Sequence, residues 1–266
     1  MGRNQMIYQP RNPRIQSIQT SAKRHCYGMG LGIIILDEMY PGFPGDTRNA
    51  SAYPFPIQYE IAEGLDGKEL LFQANKSSFL APIEKAAKKL EKIGCRAIAG
   101  ECGYFAYFQK DITRCVNIPV FMSSLLQVPL AQQLIGDDRV VGILVFSKKV
   151  LSDKHLEAVG VRSNSNYAIE GILESDRCPE LTNLYMSPDP LSRSACYEKI
   201  EAELTELAID FYQRYPNMGA LLLECSGMQP FARSIQQAID LPVFSWGTLL
   251  DYAYSVSVHR DYYGHV

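Results

Sequence analysis

The sequence contains one short pattern twice: an apolar run, then Glu-Cys, then a small residue. The first copy is Glu101-Cys102-Gly103 and the second is Glu224-Cys225-Ser226. A Pro-Val-Phe tripeptide begins 17 residues after each cysteine, at position 119 in the first copy and at position 242 in the second. A cysteine, a gap of helix length and a Pro-Val-Phe strand at one offset indicate a duplicated α/β half. If the halves face each other about a pseudo-twofold axis, the two thiols lie opposite one another.

Apolar runs predict the strands of both halves. Residues 30–36 and 140–146 are the longest runs, and each suits a central parallel strand that is buried on both faces. The predicted strands cover residues 30–36, 69–72, 96–100 and 118–121 in the first half and 140–146, 181–186, 219–223 and 241–244 in the second. Apolar residues at helical spacing predict helices from Ser77 or Ser78 through Leu90, from 124 to 134, from 197 to 215, and from 247 to 259. Another predicted helix follows the apolar run of residues 140–146 and ends at 159.

The alternation of strands and helices predicts an α/β protein with two similar, doubly wound parallel-sheet lobes related by pseudo-twofold symmetry. We expect the first lobe to comprise residues 28–132 plus 245–266 and the second to comprise 133–244, preceded by a basic N-terminal arm, 1–27. Ligands of open parallel sheets bind at the carboxyl ends of the strands, where both cysteines are predicted to lie. If the two halves face each other, these strand ends border a cleft between the lobes.

Composition excludes several classes of function. A net charge of −3 gives no support for a nucleic-acid partner. No apolar run approaches the ~18 residues of a membrane span, so no membrane partner is expected. The number of cysteines, seven, is odd, and their spacing is not that of a disulfide-rich scaffold. We interpret them as reduced thiols of a cytoplasmic protein. No Cys-x-x-Cys motif or histidine cluster predicts a metal site, since the four histidines are dispersed.

The basic arm carries five arginines and lysines and no acidic residue. Acid-free, arginine-rich segments resemble transit peptides, which is one interpretation of it. The interpretation we adopt is a solvated arm or an extension that packs against a lobe.

Polar residues near the strand ends are candidates for substrate binding. The loop of residues 37–56 contains Asp46 and Asn49, and Ser147 follows the apolar run of residues 140–146. A surface turn is the alternative interpretation of that loop. We expect the side chains of Glu101 and Glu224 to face away from the cysteines, because neighbouring residues of an extended chain point to opposite faces. The backbone amides that follow each cysteine can bind a carboxylate and lower a thiol pKa.

Several of these motifs together resemble the aspartate/glutamate/hydantoin racemase superfamily. The resemblance covers about residues 28–255 and rests on the paired cysteines, the Pro-Val-Phe strands, and the stretches 44–49, 102–104, 123–129 and 223–225. It implies a racemase or epimerase that needs no cofactor and has its active site in the cleft between the two lobes. In such enzymes one cysteine removes the α-proton as a thiolate, and the other donates a proton from the opposite face.

The resemblance implies roles for particular residues. Cys102 and Cys225 would be the two acid/base catalysts, with the substrate a small-molecule carboxylate such as an amino acid. The residues implied in substrate binding are Asp46, Asn49, Gly103, Tyr104, Ser147, Ser226 and Gly227. The two sulfurs should lie roughly 6–9 Å apart to admit a tetrahedral carbon. A homodimer is a hypothesis for the assembly.

The sequence also departs from the well-defined amino-acid racemases. Those usually have Asn-Thr after the first cysteine and Thr-His after the second, where this chain has Gly103-Tyr104 and Ser226-Gly227. Two other classes of function therefore stay open. One is a related cysteine-dependent isomerase or decarboxylase, and the other is a non-catalytic binder of small ligands.

Overall fold

Two four-stranded parallel sheets form the framework of the protein. The computed structural model describes residues 17, 19–20, 24–73, 75–260 and 262, so most of the predicted basic arm, 1–27, lies outside the described residues. The strand order is β2-β1-β3-β4 in the first sheet and β6-β5-β7-β8 in the second. The order is thus the same in both halves of the chain, and the predicted fold class is confirmed.

The strands and helices are numbered in chain order. The strands are β1 (Leu31–Leu36), β2 (Ile57–Ala62), β3 (Ala97–Gly100), β4 (Val120–Phe121), β5 (Val140–Val145), β6 (Tyr167–Gly171), β7 (Met218–Leu223) and β8 (Val243–Phe244). The helices are α1 (Gly67–Phe72), α2 (Leu80–Ile93), α3 (Gln109–Cys115), α4 (Val128–Ile135), α5 (Asp153–Ala158), α6 (Ile172–Ser175), α7 (Pro179–Met186), α8 (Tyr197–Arg214), α9 (Ala232–Ile239) and α10 (Trp246–Ser257).

The central strands form where the sequence is continuously apolar. Every residue of β3, β5 and β7 is buried, as expected for a parallel strand that has helices on both faces. Helix α2 places Ile83, Ala86, Ala87 and Leu90 against the first sheet, at the predicted helical spacing.

Two of the predicted strands are wrong. Residues 69–72 lie in α1 and residues 181–186 lie in α7, whereas β2 and β6 are the second strands of the two sheets. Both true strands are at a sheet edge, and neither is an unbroken apolar run, since each carries a glutamate. Asp66 instead caps the N-terminus of helix α1, because its carboxylate accepts hydrogen bonds from two amides of the first turn.

The last helix packs against the first sheet. In α10, Trp246, Leu249 and Leu250 are fully buried or nearly so, and they belong to one cluster with Leu31 and Ala97 of the sheet. The chain therefore returns to its first lobe after completing β8. None of the described helices is both long enough and apolar enough to cross a membrane.

Candidate active site

The two cysteines of the repeat occupy equivalent places. Cys102 and Cys225 each lie two residues beyond the end of a strand, β3 or β7, and each directly precedes a short 3₁₀ helix. The amide of the preceding glutamate donates to Ile34 O in the first sheet, at 3.1 Å, and to Leu144 O in the second, at 2.9 Å. Both cysteines line one cavity of about 70 Å³, whose walls come from both lobes. The structure thus brings the two thiols into one site.

The other predicted site residues divide into two groups. Gly103, Tyr104 and Ser226 line the cavity with the cysteines. Four residues are placed outside its lining: Asp46, Asn49, Ser147 and Gly227.

These four have structural partners instead. The side-chain Nδ2 of Asn49 donates to Gly42 O at 3.2 Å, and Ser147 Oγ donates to the Glu174 carboxylate at 2.7 Å. Asp46 is buried and accepts a hydrogen bond from the Arg48 amide at 2.8 Å. Gly227 lies against Tyr185, since a Cβ at this position would collide with the Tyr185 hydroxyl.

The glutamates do not face away from the cysteines, contrary to the prediction from strand alternation. Glu101 and Glu224 both line the cavity and are fully buried or nearly so. The prediction fails although the backbone of each cysteine is extended, with φ −103° and ψ 129° at Cys102 and φ −78° and ψ 135° at Cys225. Because β3 ends at Gly100 and β7 at Leu223, each Glu-Cys dipeptide lies beyond its strand, where the cavity receives side chains from both faces of the chain.

Each glutamate accepts a hydrogen bond from an equivalent backbone amide, but only one of the two carboxyl groups is paired with a cation. Glu101 accepts the Leu36 amide at 2.7 Å, and Glu224 accepts the equivalent Phe146 amide at 3.3 Å. Glu101 also forms a bidentate ion pair with Arg48, with Nη2 at 2.6 Å from Oε1 and Nε on Oε2. Within the described part of the chain, Glu224 has no cationic partner, and its Oε1 has no hydrogen-bond partner.

This difference sets the protonation of the site. Burial raises the pKa of Glu224 from 4.5 to about 8, opposed only by the Phe146 amide. Burial also raises the pKa of Glu101, but the Arg48 guanidinium opposes that rise. At neutral pH Glu101 is therefore the carboxylate of an ion pair, and Glu224 is a neutral carboxylic acid.

Both thiols are neutral at rest. Burial raises the pKa of Cys102 and of Cys225 well above the ordinary value, and the charge of Glu224 raises both further once that residue ionises. The amides of Tyr104 and Gly227 lower these pKa values, as predicted for amides that follow the cysteines, but burial outweighs them. A thiolate at either position is consequently a stronger base than an exposed thiolate.

Aromatic rings form much of the remaining wall. Tyr40, Phe146 and Tyr185 line the cavity, and we call these three residues the aromatic corner. The Tyr185 ring stands nearly perpendicular to both others, with centroids 4.9 Å from Tyr40 and 5.6 Å from Phe146. This group was hard to predict, because Tyr185 lies in a segment wrongly predicted as a strand and Tyr40 lies in a predicted loop. Arg48 was also missed, although it lies between the predicted Asp46 and Asn49.

Contacts between the lobes hold the site in place. The Tyr104 hydroxyl donates to Ser147 O at 2.9 Å and accepts the Ser147 amide at 2.6 Å. The carbonyl of Glu224 accepts hydrogen bonds from Trp246 Nε1, at 2.7 Å, and from Ser124 Oγ, at 3.2 Å. Groups of three or more potential metal ligands do not occur among residues 24–73 and 75–260.

Comparison with curated proteins finds distant relatives of one name. Dimethylsulfoniopropionate lyase 5 of Emiliania huxleyi is 25% identical over 243 residues, which are 88% of this chain and 46% of that protein. A dimethylsulfoniopropionate lyase of Durusdinium sp. clade D is 27% identical over 224 residues, 80% of this chain and 70% of that protein. The chain thus spans about half the length of the first relative. No protein-family model matches the sequence.

Comparison with solved structures identifies the fold. The aspartate racemase of Picrophilus torridus superposes with a TM-score of 0.55 at 18% identity, covering 89% of this chain and 96% of that one. Arylmalonate decarboxylase gives 0.53 at 13% identity, covering 86% and 92%. A glutamate racemase of Bacillus anthracis gives 0.51 at 10% identity, covering 86% and 80%. The resemblance to the racemase superfamily is therefore confirmed at the level of the fold.

Proposed function

We propose that this chain, which has the fold of the aspartate/glutamate racemase superfamily, is a cofactor-independent lyase that splits dimethylsulfoniopropionate into dimethyl sulfide and acrylate. The observation that carries the proposal is the pair of partly buried thiols lining one cavity between two lobes. The names of the relatives supply the substrate and the type of reaction. This proposal replaces racemisation as the leading interpretation, because the relatives are named lyases.

The chemistry needs one strong base and one leaving group. The resting thiol of one cysteine first gives its proton to water, and the resulting thiolate takes a proton from the α-carbon, next to the carboxylate. The electrons of that C–H bond form the double bond of acrylate as the bond between the β-carbon and sulfur breaks. The electron pair of the broken bond leaves on sulfur, so the cationic sulfonium becomes neutral dimethyl sulfide. The cysteine ends the cycle as a thiol, so the proton released by the overall reaction is the one first given to water.

The cavity offers several groups for this reaction. The raised pKa of each thiol suits a base that must remove a weakly acidic carbon-bound proton. Lys68 lines the cavity, so its ammonium group can pair with the substrate carboxylate. Its Nζ also donates to Ser187 O at 3.3 Å. The backbone at Gly103 and Ser226 lies at the start of the two 3₁₀ helices and can donate to the same carboxylate.

A racemase is the second candidate, favoured by the symmetry of the thiols. Each sulfur receives the amide of the residue two positions further along the chain, Tyr104 for Cys102 and Gly227 for Cys225. Two thiols in matching surroundings suit proton removal on one face of a carbon and proton delivery on the other.

Product analysis of the purified protein tests both candidates. With dimethylsulfoniopropionate, we expect equal amounts of dimethyl sulfide and acrylate, measured by gas and liquid chromatography. Serine at the cysteine that acts as the base should slow this release by at least about 100-fold. Cys196→Ser is the control and should stay within about tenfold, because Cys196 contacts Glu198 outside the cavity.

A different set of results would favour the racemase. Amino acids, hydantoins and substituted acids would then exchange the α-hydrogen in deuterated water with inversion, and no dimethyl sulfide would form. Cys102→Ser and Cys225→Ser would each exchange a different enantiomer, since each retains one thiol. Absence of both lyase and exchange activity would contradict any catalytic role for the thiols.

A further inference from the structure

The aromatic corner differs from ordinary aromatic packing because all three of its rings border the cavity. Tyr40 and Tyr185 are only partly buried, whereas Phe146 is buried. The interplanar angles are 78° between Tyr40 and Tyr185 and 86° between Phe146 and Tyr185. Rings at right angles form a concave corner, and the faces of aromatic rings carry negative electrostatic potential. Such a corner is suited to a small cation.

The charges around the corner strengthen that potential. Burial raises the pKa of the Tyr40 hydroxyl, and the nearby charges of Asp46 and Glu101 raise it further. Arg48 lies over the Tyr40 ring at 4.3 Å from its centroid, but its charge is compensated by the ion pair with Glu101. The corner therefore has carboxylates close by and its neighbouring arginine already paired.

Hydrogen bonding in the cavity disfavours a primary ammonium group there. An ammonium group needs acceptors for its three N–H bonds. Both oxygens of Glu101 already accept from Arg48, and Glu38 Oε1 accepts from Arg193 at 2.6 Å. Glu224 Oε1 has no hydrogen-bond partner within the described part of the chain, but burial raises the pKa of Glu224 to about 8, so near neutral pH this carboxyl group is protonated and offers an ammonium group no full charge. A sulfonium or quaternary ammonium group has no N–H to satisfy, so ring faces alone can stabilise it.

We propose that the aromatic corner is a subsite for an onium group, so that the cavity selects carboxylates that carry a sulfonium or quaternary ammonium at the β-carbon. The placement of the carboxylate beside the thiols rests on the proposed lyase function, while the onium subsite rests on the three rings. The corner then fixes the leaving group of the substrate, and amino acids, whose cation is a primary ammonium on the α-carbon, are poor ligands.

The test compares two inhibitors of the same shape. One is trimethylammonio-propanoate, and the other is its neutral isostere, in which carbon replaces the nitrogen. Isothermal titration calorimetry with the full chain measures both affinities without any need for turnover. We expect the cationic ligand to bind at least about tenfold more tightly than the neutral one. Equal affinity, or tighter binding of the neutral ligand, would overturn the proposal.

Variants assign the preference to the corner. Tyr185→Leu should abolish the preference while changing the affinity of the neutral ligand by less than about threefold, whereas Tyr185→Phe should retain it. Tyr252→Leu is a matched control, because Tyr252 is exposed on α10 and outside the cavity lining. Tyr40→Leu provides a second ring deletion if Tyr185→Leu does not fold. A preference that survives both deletions would contradict the subsite.

The same samples separate this proposal from the lyase proposal. Release of dimethyl sulfide without any preference for the cationic inhibitor would leave the lyase standing and remove the onium subsite. A preference without release would leave the subsite standing and remove the lyase. If the primary amine β-alanine bound with the same affinity as its trimethylated form, the argument from hydrogen bonding would be wrong.

Discussion

Glu101 and Glu224 show how one repeated dipeptide acquires two protonation states. Both accept an amide from the strand beside them, but only Glu101 has an arginine. The sequence predicted the two cysteines from the repeat alone, because position in a duplicated pattern is readable in the chain. It did not predict the state of either glutamate, since that depends on Arg48, which approaches Glu101 from a loop more than 50 residues away.

The neutral state of Glu224 predicts a pH dependence of stability that Glu224→Gln removes. The folded-state pKa of about 8 lies above the ordinary 4.5, so the folded protein holds a proton that the unfolded chain has lost between these values. The contribution of protonated Glu224 to the free energy of unfolding is therefore complete below about pH 4.5. It is lost as the pH rises toward 8, by on the order of 1.4 kcal/mol per pH unit. Urea denaturation of both proteins at pH 5, 7 and 8.5 measures this. Parallel profiles would contradict it.

Glu224→Gln should also change the reactivity of the thiols. When Glu224 ionises, its charge raises the pKa of both Cys102 and Cys225. The variant lacks that charge, so we expect faster alkylation of both cysteines by iodoacetamide above pH 8, resolved by peptide mass spectrometry. Cys178 is the internal reference, because its pKa is raised by burial and by Glu203 rather than by Glu224. Equal acceleration at Cys178 would indicate general opening of the structure.

At the scale of secondary structure, the central strands and the edge strands β4 and β8 were predictable, whereas the edge strands β2 and β6 were not. Strands β1, β3, β5 and β7 are continuous apolar runs, because helices cover both faces of each sheet. Strands β2 and β6 pair with a neighbour on one side only and contain polar residues. The alternation of Ile57, Tyr59 and Ile61 was the available signal for β2. The same error occurred in both halves because both halves have the same strand order.

The 3₁₀ helix that follows Cys102 requires glycine at its first position. The reason is space and not backbone conformation: Gly103 does not have a positive φ, but a Cβ there would collide with the buried carboxyl of Glu224 from the other lobe. We expect Gly103→Ala to lower the free energy of unfolding by ~1–3 kcal/mol, measured by guanidinium denaturation. The double variant Gly103→Ala with Glu224→Ala should lose less than the sum of the two single changes. Strict additivity would show that the two residues are not in contact.

At the scale of the whole molecule, a buried ion pair joins the lobes beside the cavity. Glu38 lines the cavity from the first lobe, and Arg193 reaches it from the second with an Nη1–Oε1 distance of 2.6 Å. The side chains are only 7% and 2% exposed, and Arg193 Nη1 also donates to Met39 O at 2.8 Å. Sequence analysis could not find this pair, because its members are 155 residues apart and neither belongs to the repeat.

Removing one member of this pair should be costly. Arg193→Met leaves the Glu38 carboxylate buried without its cation, and we expect a loss of ~3–5 kcal/mol in the free energy of unfolding. Adding Glu38→Gln should recover part of that loss. Lys85→Met is the matched control, since Lys85 and its partner Glu63 are both more than half exposed, and should cost less than ~1 kcal/mol. Equal losses at the two sites would show that the interlobe pair is effectively solvated.

The position of α10 also bears on how the chain is made. The face of the first sheet that contains Leu31 and Ala97 is covered by Trp246 and Leu250, which a ribosome adds about 150 residues after the sheet's third strand. At the usual rates of translation that delay is on the order of 10 s. During this time the nascent first sheet lacks its cover, so we expect it to be a client of chaperones that bind apolar surface. Trp246 Nε1 also donates a hydrogen bond to the Glu224 carbonyl, so the cavity between the lobes is completed only with the last helix.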